Sequence, residues 1–476
     1  MDEFMRTRRD FLKAMGLGAA SLVIPRSAAA FRQTVSTGER PNIIFILADD
    51  LGYGDLGCYG QKVIRTPNLD GMAAEGMRFT QHYAGSTVCA PSRCVLMTGL
   101  HTGHCYIRGN REVKPMGQLP LPPNTITIAK LLKEAGYTTG LIGKWGLGGP
   151  GSAGIPNRQG FDYFHGYLCQ RHAHNYYPEF LFRNEQRVLL EGNRVANPRP
   201  DGAGRAIERA QYSHDLLAQE ALAFIERNKD KPFFLYLALT IPHANNEAGN
   251  KGMEVPSFEP YANEEWPDPQ KGHAAMITRM DRDIGRLLAK LNQLGLDQNT
   301  LVMFSSDNGP HREGGADPRF FKSSGPLRGI KRDLYEGGIR VPMLARWPGK
   351  VKPGSVSDHV SAFWDFLPMC AELARVKVPN RIDGISLLPT LLGQPGKQKK
   401  HEFMYWEFHG RGFNQGVRMG DWKAVRFGKA KKFELYNLKN DIGERHNVAD
   451  QHPEIVATIK ACLKTARSPS KYWPVS

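Results

Sequence analysis

Residues 43–47 form an unbroken apolar run, Ile-Ile-Phe-Ile-Leu, and similar runs follow at 138–142, 233–239 and 301–304. Runs without polar alternation are the mark of strands buried on both faces, as in parallel sheets. Between them lie helix-like stretches at 127–135, 214–228 and 274–294. Strands alternating with helices predict an α/β fold, a mostly parallel sheet between helix layers. Over 394–400 the composition turns to Gly, Pro and Lys, which marks a linker. Beyond it, short strand candidates at 403–406, 415–419, 423–426 and 434–438, with a final helix at 453–465, predict a small C-terminal antiparallel α+β subdomain. The expected division is therefore a main domain over 41–393 and a subdomain over 401–476.

Each of the four strong strand candidates runs straight into polar residues. Asp49-Asp50 follow the first, Lys144 the second, His243 the third and Asp307-Asn308 the fourth. In open α/β sheets ligands bind outside the carboxyl ends of the strands, so parallel neighbours would bring these groups into one crevice. Three carboxylates and an amide carbonyl at one point need a cation among them. They are hard oxygen ligands, which suit calcium or magnesium rather than zinc. Taken singly, Asp49-Asp50 reads equally as a cap and Asp307-Asn308-Gly309-Pro310 as a turn. The stretch from Ser86 to Gly99 adds a cysteine: Pro91 suits a first helical turn, which puts Cys89 near a helix N-terminus where anions are favoured. Arg93 falls one turn further on, placed to grip an oxyanion. The alternative for Cys89 is a buried structural thiol.

Composition fits a folded chain of 476 residues, with 41% apolar and 23% charged residues. A net charge of +16 favours anionic partners or simply keeps the chain in solution. No nucleic-acid-binding motif occurs, so no nucleic acid partner is expected. The first thirty residues read as an export signal rather than as fold. Thr7-Arg8-Arg9-Asp10-Phe11-Leu12-Lys13 resembles a twin-arginine motif, followed by a short apolar stretch and then Ala28-Ala29-Ala30 as a cleavage site. The expected location is periplasmic or secreted, with no membrane span once the signal is removed. Seven cysteines without metal-binding spacing leave one or two disulfides open and at least one thiol for another fate.

Cys89-Ala90-Pro91-Ser92-Arg93 resembles the signature of type I sulfatases in the alkaline phosphatase superfamily. The resemblance extends through Ala48-Asp49-Asp50-Leu51-Gly52, Gly143-Lys144-Trp145, Pro242-His243, Ser306-Asp307-Asn308-Gly309, Leu327-Arg328-Gly329-Ile330-Lys331 and Tyr335-Glu336-Gly337-Gly338, to the late Glu434-Leu435-Tyr436-Asn437-Leu438. It implies an alkaline-phosphatase-like fold with 41–393 as catalytic domain. It also implies that a formylglycine-generating enzyme oxidises Cys89 to formylglycine, whose hydrate is the nucleophile and can expel sulfate by reforming the aldehyde. Asp49, Asp50, Asp307 and Asn308, with the modified Cys89 nearby, resemble the ligands of a calcium ion, in preference to magnesium. Arg93, Lys144 and Lys331 would neutralise the sulfate oxygens, and His243 with Lys331 would protonate the departing alcohol.

One departure stands out. Many sulfatases read Gly-Lys-Trp-His-Leu-Gly where this chain has Gly146, and the histidine normally contacts the nucleophile. The donor-rich segment Gln170-Arg171-His172-Ala173-His174-Asn175-Tyr176-Tyr177 could supply a replacement imidazole, with His174 the candidate, or could be a surface loop. His101, His104, Arg108 and Asn110 could line a sugar subsite or form an exposed polar loop. The expected substrate is a sulfated carbohydrate or a small sulfate ester. The rivals are a phosphonate monoester or phosphodiester hydrolase using the same site, and a sulfated-glycan-binding protein whose catalysis has decayed.

Overall fold

The strand Asn42–Ala48 lies at the centre of a ten-stranded sheet, with Thr300–Ser306 on one side and Phe233–Ala238 on the other, both parallel to it. Thr138–Lys144 and then Tyr163–Tyr167 extend the parallel run beyond Phe233–Ala238. A computed structural model of the chain describes residues 40–410, 412–428 and 431–475; the export signal expected at 1–30 lies outside them. All four strands read from unbroken runs are present and adjacent. Side chains alternate between the two faces of the central strand. Ile43, Phe45 and Leu47 join one core with the helices Cys89–Thr98, Ile128–Glu134 and Phe366–Ala374. Ile44, Ile46 and Ala48 join the other, with Pro67–Glu75, Ser213–Arg227 and Asp268–Gln293. Burying each large apolar side chain in this way contributes about 1.5–3 kcal/mol.

Local signals explain the helix boundaries. Thr127 caps Ile128–Glu134 by accepting from the Lys130 amide at 3.1 Å. The helix expected from 274 begins earlier, at Asp268, because Pro269 suits its first turn. The sheet is not wholly parallel. Met343–Arg346 runs antiparallel to Thr300–Ser306, and the short strands Met77–Phe79 and Ser355–Ser357 complete that edge. The hairpin Phe180–Arg183 with Gln186–Leu189 closes the other edge. These short segments carry too little periodicity to be read from sequence.

Met404–Phe408, Asn414–Met419, Trp422–Phe427 and Glu434–Asn437 form a separate four-stranded antiparallel sheet, followed by the helix Pro453–Cys462. It meets the main sheet through buried charge. Lys423 Nζ reaches Glu336 Oε1 at 2.8 Å, and Trp406 Nε1 donates to the Ala84 carbonyl at 3.0 Å. The boundary at 393/401 stands as a proposal, since the two sheets are distinct but joined by these contacts. All seven cysteines are free thiols. No helix of the described residues is long and apolar enough to cross a membrane.

Candidate active site

Because the central strands are parallel neighbours, their carboxyl ends open on one side of the sheet, and the chain stitches them together there. The Asp49 amide donates to the Ile241 carbonyl at 3.2 Å and the Asp307 amide to the Ala48 carbonyl at 3.1 Å. Asp50 takes a positive φ of 64°, a conformation that aspartate tolerates better than most residues, and its amide donates to Asp307 Oδ1 at 3.1 Å. Asp49, Asp50 and Asp307 are all essentially inaccessible to solvent.

Cys89 opens the helix Cys89–Thr98, every residue of which is buried, with Pro91 in its first turn. Its thiol donates to Asp49 Oδ1 at 3.4 Å. One turn on, Arg93 grips Asp307 Oδ2 through Nε at 3.2 Å and Nη2 at 2.9 Å, while its Nη1 donates to the Lys144 carbonyl at 2.8 Å. Lys144 Nζ meets Asp49 Oδ2 at 2.6 Å, and Lys331 Nζ meets Asp50 Oδ2 at 2.7 Å. His243 Nδ1 donates to the Ala244 carbonyl at 2.7 Å, which leaves Nε2 to accept from Lys331 Nζ at 2.9 Å. The structure thus brings together Cys89, Arg93, Lys144, His243, Lys331, Asp49, Asp50, Asp307 and Asn308.

The charges are closely matched. Burial works against ionised Asp49, but Lys144 and Arg93 hold its carboxyl well below the usual range. Asp307 is pushed up to about 7 by burial and by the neighbouring Asp49 charge. Burial and Asp49 also push the Cys89 thiol well above its ordinary value. An enzyme that used the thiolate would need the opposite shift. Burial and the adjacent Lys331 lower His243 to about 3, so its imidazole is neutral.

Ligand atoms of Asp49, Asp50, Cys89 and His243 lie within 4.8 Å of one another. Asn308 Nδ2 lies 2.6 Å from Asp50 Oδ1, and the buried Asn308 Oδ1 has no hydrogen-bond partner among the described residues. An orphaned amide oxygen beside three buried carboxylates fits a hard divalent cation.

The segment expected to replace the missing imidazole divides. His174 stacks on His243, with ring centroids 4.7 Å apart and an 11° interplanar angle, and its Nδ1 lies 3.1 Å from Glu247 Oε2. It therefore touches the site through His243. His172 instead packs between Tyr167 and Phe180, with both nitrogens unpartnered among the described residues. Burial, then Arg187, lowers it to about 3. With that value below its unfolded one of about 6.5, the unfolded chain binds the extra proton between these limits. Stability is therefore lost as pH falls through that window. His172→Phe is expected to match the wild type at pH 8 and to gain on it at pH 5, by up to about 1.4 kcal/mol per pH unit. Equal acid slopes in urea melts of the two proteins would disprove this.

His101 and Arg108 are buried and His104 is partly buried, so this segment is not an exposed loop. His104 Nδ1 meets Asp383 Oδ1 at 2.9 Å, and buried Arg108 meets Glu407 Oε1 at 3.2 Å, which ties this segment to the C-terminal sheet. Asn110 Oδ1 accepts from the Ala90 amide at 3.1 Å, which steadies the start of the Cys89 helix. Glu313 was not legible from sequence. It pairs with Lys331 at 3.2 Å and with Arg332 at 2.5 Å, from an aperiodic loop whose one signal is the preceding Asp307-Asn308 turn.

Residues 41–376 match the family model described as Sulfatase, and 330–468 match one described as N-sulphoglucosamine sulphohydrolase, C-terminal. Arylsulfatase A of Homo sapiens is 34% identical over 486 residues, covering 92% of this chain and 90% of that protein. N-acetylgalactosamine-6-O-sulfatase of Bacteroides thetaiotaomicron is 29% identical, covering 90% of this chain and 94% of that one. The crystal structure of Ps i-CgsB in complex with k-i-k-neocarrahexaose superposes with a TM-score of 0.73 at 29% identity, over 90% of this chain and 93% of that one.

Proposed function

Because the chain belongs to the sulfatase family and is a sulfuric ester hydrolase, we propose that it cleaves sulfate monoesters of a carbohydrate, using formylglycine made from Cys89 beside a bound calcium ion. The observation that carries this is the buried Cys89 thiol, 3.4 Å from Asp49, in a cluster of three carboxylates and three basic side chains beside the ends of adjacent parallel strands. A thiol kept protonated by its surroundings is a poor nucleophile as it stands, which favours a chemically altered side chain at this position. Its maturation would fall to a formylglycine-generating enzyme, and the export signal read at the N-terminus belongs to the same proposal.

Asp49, Asp50, Asp307 and Asn308 would hold the calcium, which supplies Lewis acidity toward a sulfate oxygen. Arg93 and Lys144 are fixed by Asp307 and Asp49, where they would offset charge on the sulfate oxygens. Lys331 and His243 sit together, with Nζ 2.9 Å from Nε2. The proton shared along Lys331 Nζ and His243 Nε2 is placed to pass to the leaving oxygen. Next to Glu313 an open cavity of about 750 Å³, lined also by Asn246, Arg312 and Arg319, leaves room for a sugar. Relatives named for sulfated sugars support a carbohydrate substrate.

The direct test compares turnover of sulfated oligosaccharides, 4-nitrophenyl sulfate and a phenyl phosphonate ester. Faster cleavage of the phosphonate would overturn the sulfatase assignment of this site. For the ion, calcium added to chelator-treated protein is expected to raise Tm, because a ligand at a hundredfold excess over Kd stabilises by about 2.7 kcal/mol. Asp49→Asn should lose the response, and magnesium should need a higher concentration. An identical Tm in calcium, magnesium and chelator would remove the metal from the proposal.

A further inference from the structure

Gly146 follows Lys144 by two residues and has a φ of +79°. A Cβ placed on it would meet Gln170 Nε2 at 2.6 Å and Gln170 Cγ at 2.8 Å. The Gln170 side chain therefore occupies the space that any side chain at 146 would enter. Gln170 is 5% exposed, and its Nε2 has no hydrogen-bond partner among the described residues. A buried donor left unmet is costly, and such groups persist where something outside the protein meets them.

Its surroundings indicate what that is. The Gly146 amide donates to the Leu168 carbonyl at 3.2 Å, tying the backbone beyond Lys144 to the segment that leads into Gln170. Four residues later His174 stacks on His243. The side chain of Gln170 thus lies against the residue two positions after Lys144, which contacts Asp49, and four positions before His174, which stacks on the partner of Lys331. A sulfate ester offers only acceptor oxygens toward the protein, and a carboxamide Nε2 offers only donors.

We propose that Gln170 is an anion-binding residue whose Nε2 donates to a non-bridging oxygen of the bound sulfate ester, in the space left free by Gly146. This rests on the sulfatase assignment of the site and assigns one further contact within it. A neutral donor at this place keeps its hydrogen bond at every working pH, whereas an imidazole there would change charge near neutrality.

The test uses the full-length mature enzyme, with formylglycine content measured in every variant. Gln170→Leu removes the donor while keeping the bulk. It is expected to weaken binding of inorganic sulfate, followed by calorimetry, about tenfold and to lower kcat/KM on 4-nitrophenyl sulfate at least as much. Its Tm should equal or exceed that of the wild type, because an unmet buried donor is gone. Gln170→Glu turns a donor toward an acceptor and should lose about a hundredfold, recovering partly as pH falls. Should the leucine variant misfold, Gln170→Met, unbranched and without the donor, carries the same expectation. Sulfate binding within twofold of wild type in the donor-free variant overturns the proposal, as does activity lost only in step with Tm. Sulfate binding needs no formylglycine, so it decides the role of Gln170 even if the wild type cleaves no sulfate ester. That second result would count against the sulfatase assignment itself.

Discussion

Cys89→Ala is expected to lower sulfate-ester turnover by at least ~10⁴-fold while leaving the fold intact. The thiol makes one long hydrogen bond, to Asp49 Oδ1 at 3.4 Å, so its removal breaks no strong polar contact. The activity rests on what that side chain becomes. Burial and Asp49 keep the thiol protonated, so an unaltered Cys89 supplies no strong nucleophile. In the purified active protein, the peptide carrying Cys89 is therefore expected about 18 Da lighter than the thiol form. An alanine variant that retains turnover, or an active protein whose Cys89 peptide has the mass of unmodified cysteine, would refute the assignment of the nucleophile.

Asp307→Ala is expected to be the most damaging change to stability within the site. Asp307 accepts from Arg93 twice, at 3.2 and 2.9 Å, and from the Asp50 amide at 3.1 Å. Its loss leaves a fully buried guanidinium with the Lys144 carbonyl and, as its remaining carboxylate, Asp49 at 3.6 Å, which already serves Lys144. Removing one member of a buried pair typically costs about 3–5 kcal/mol. The variant should also lose the calcium-dependent rise in Tm, since a ligand has gone. Asp307→Asn, which keeps the shape, should be milder in stability and equally unresponsive to calcium. Chemical denaturation with and without calcium reads both effects. A variant as stable as the wild type and still stabilised by calcium would show that Asp307 neither balances Arg93 nor binds the ion.

Much of the architecture was legible in the order of residues along the chain. Unbroken apolar runs located the four central strands within a residue or two, because a strand buried on both faces must be apolar throughout. Polar residues directly after those runs marked the site, because strand ends in a parallel sheet open on one side. Residues whose contacts are made by distant loops were beyond its reach. Glu313 beside Lys331, Gln170 over Gly146 and Arg108 against Glu407 join segments 18, 24 and 299 positions apart in the chain. No local periodicity encodes such pairings.

The fate of the 170–177 segment shows the same division. Its composition announced polar chemistry but not which side chain faced which neighbour. Only the packed structure put His172 among aromatic rings, stacked His174 on His243 and laid Gln170 across a glycine. Periodicity follows from local burial, which each strand or helix meets with its own residues. Side-chain partnership depends on where the backbone of another segment arrives, and that is decided only when the whole core closes.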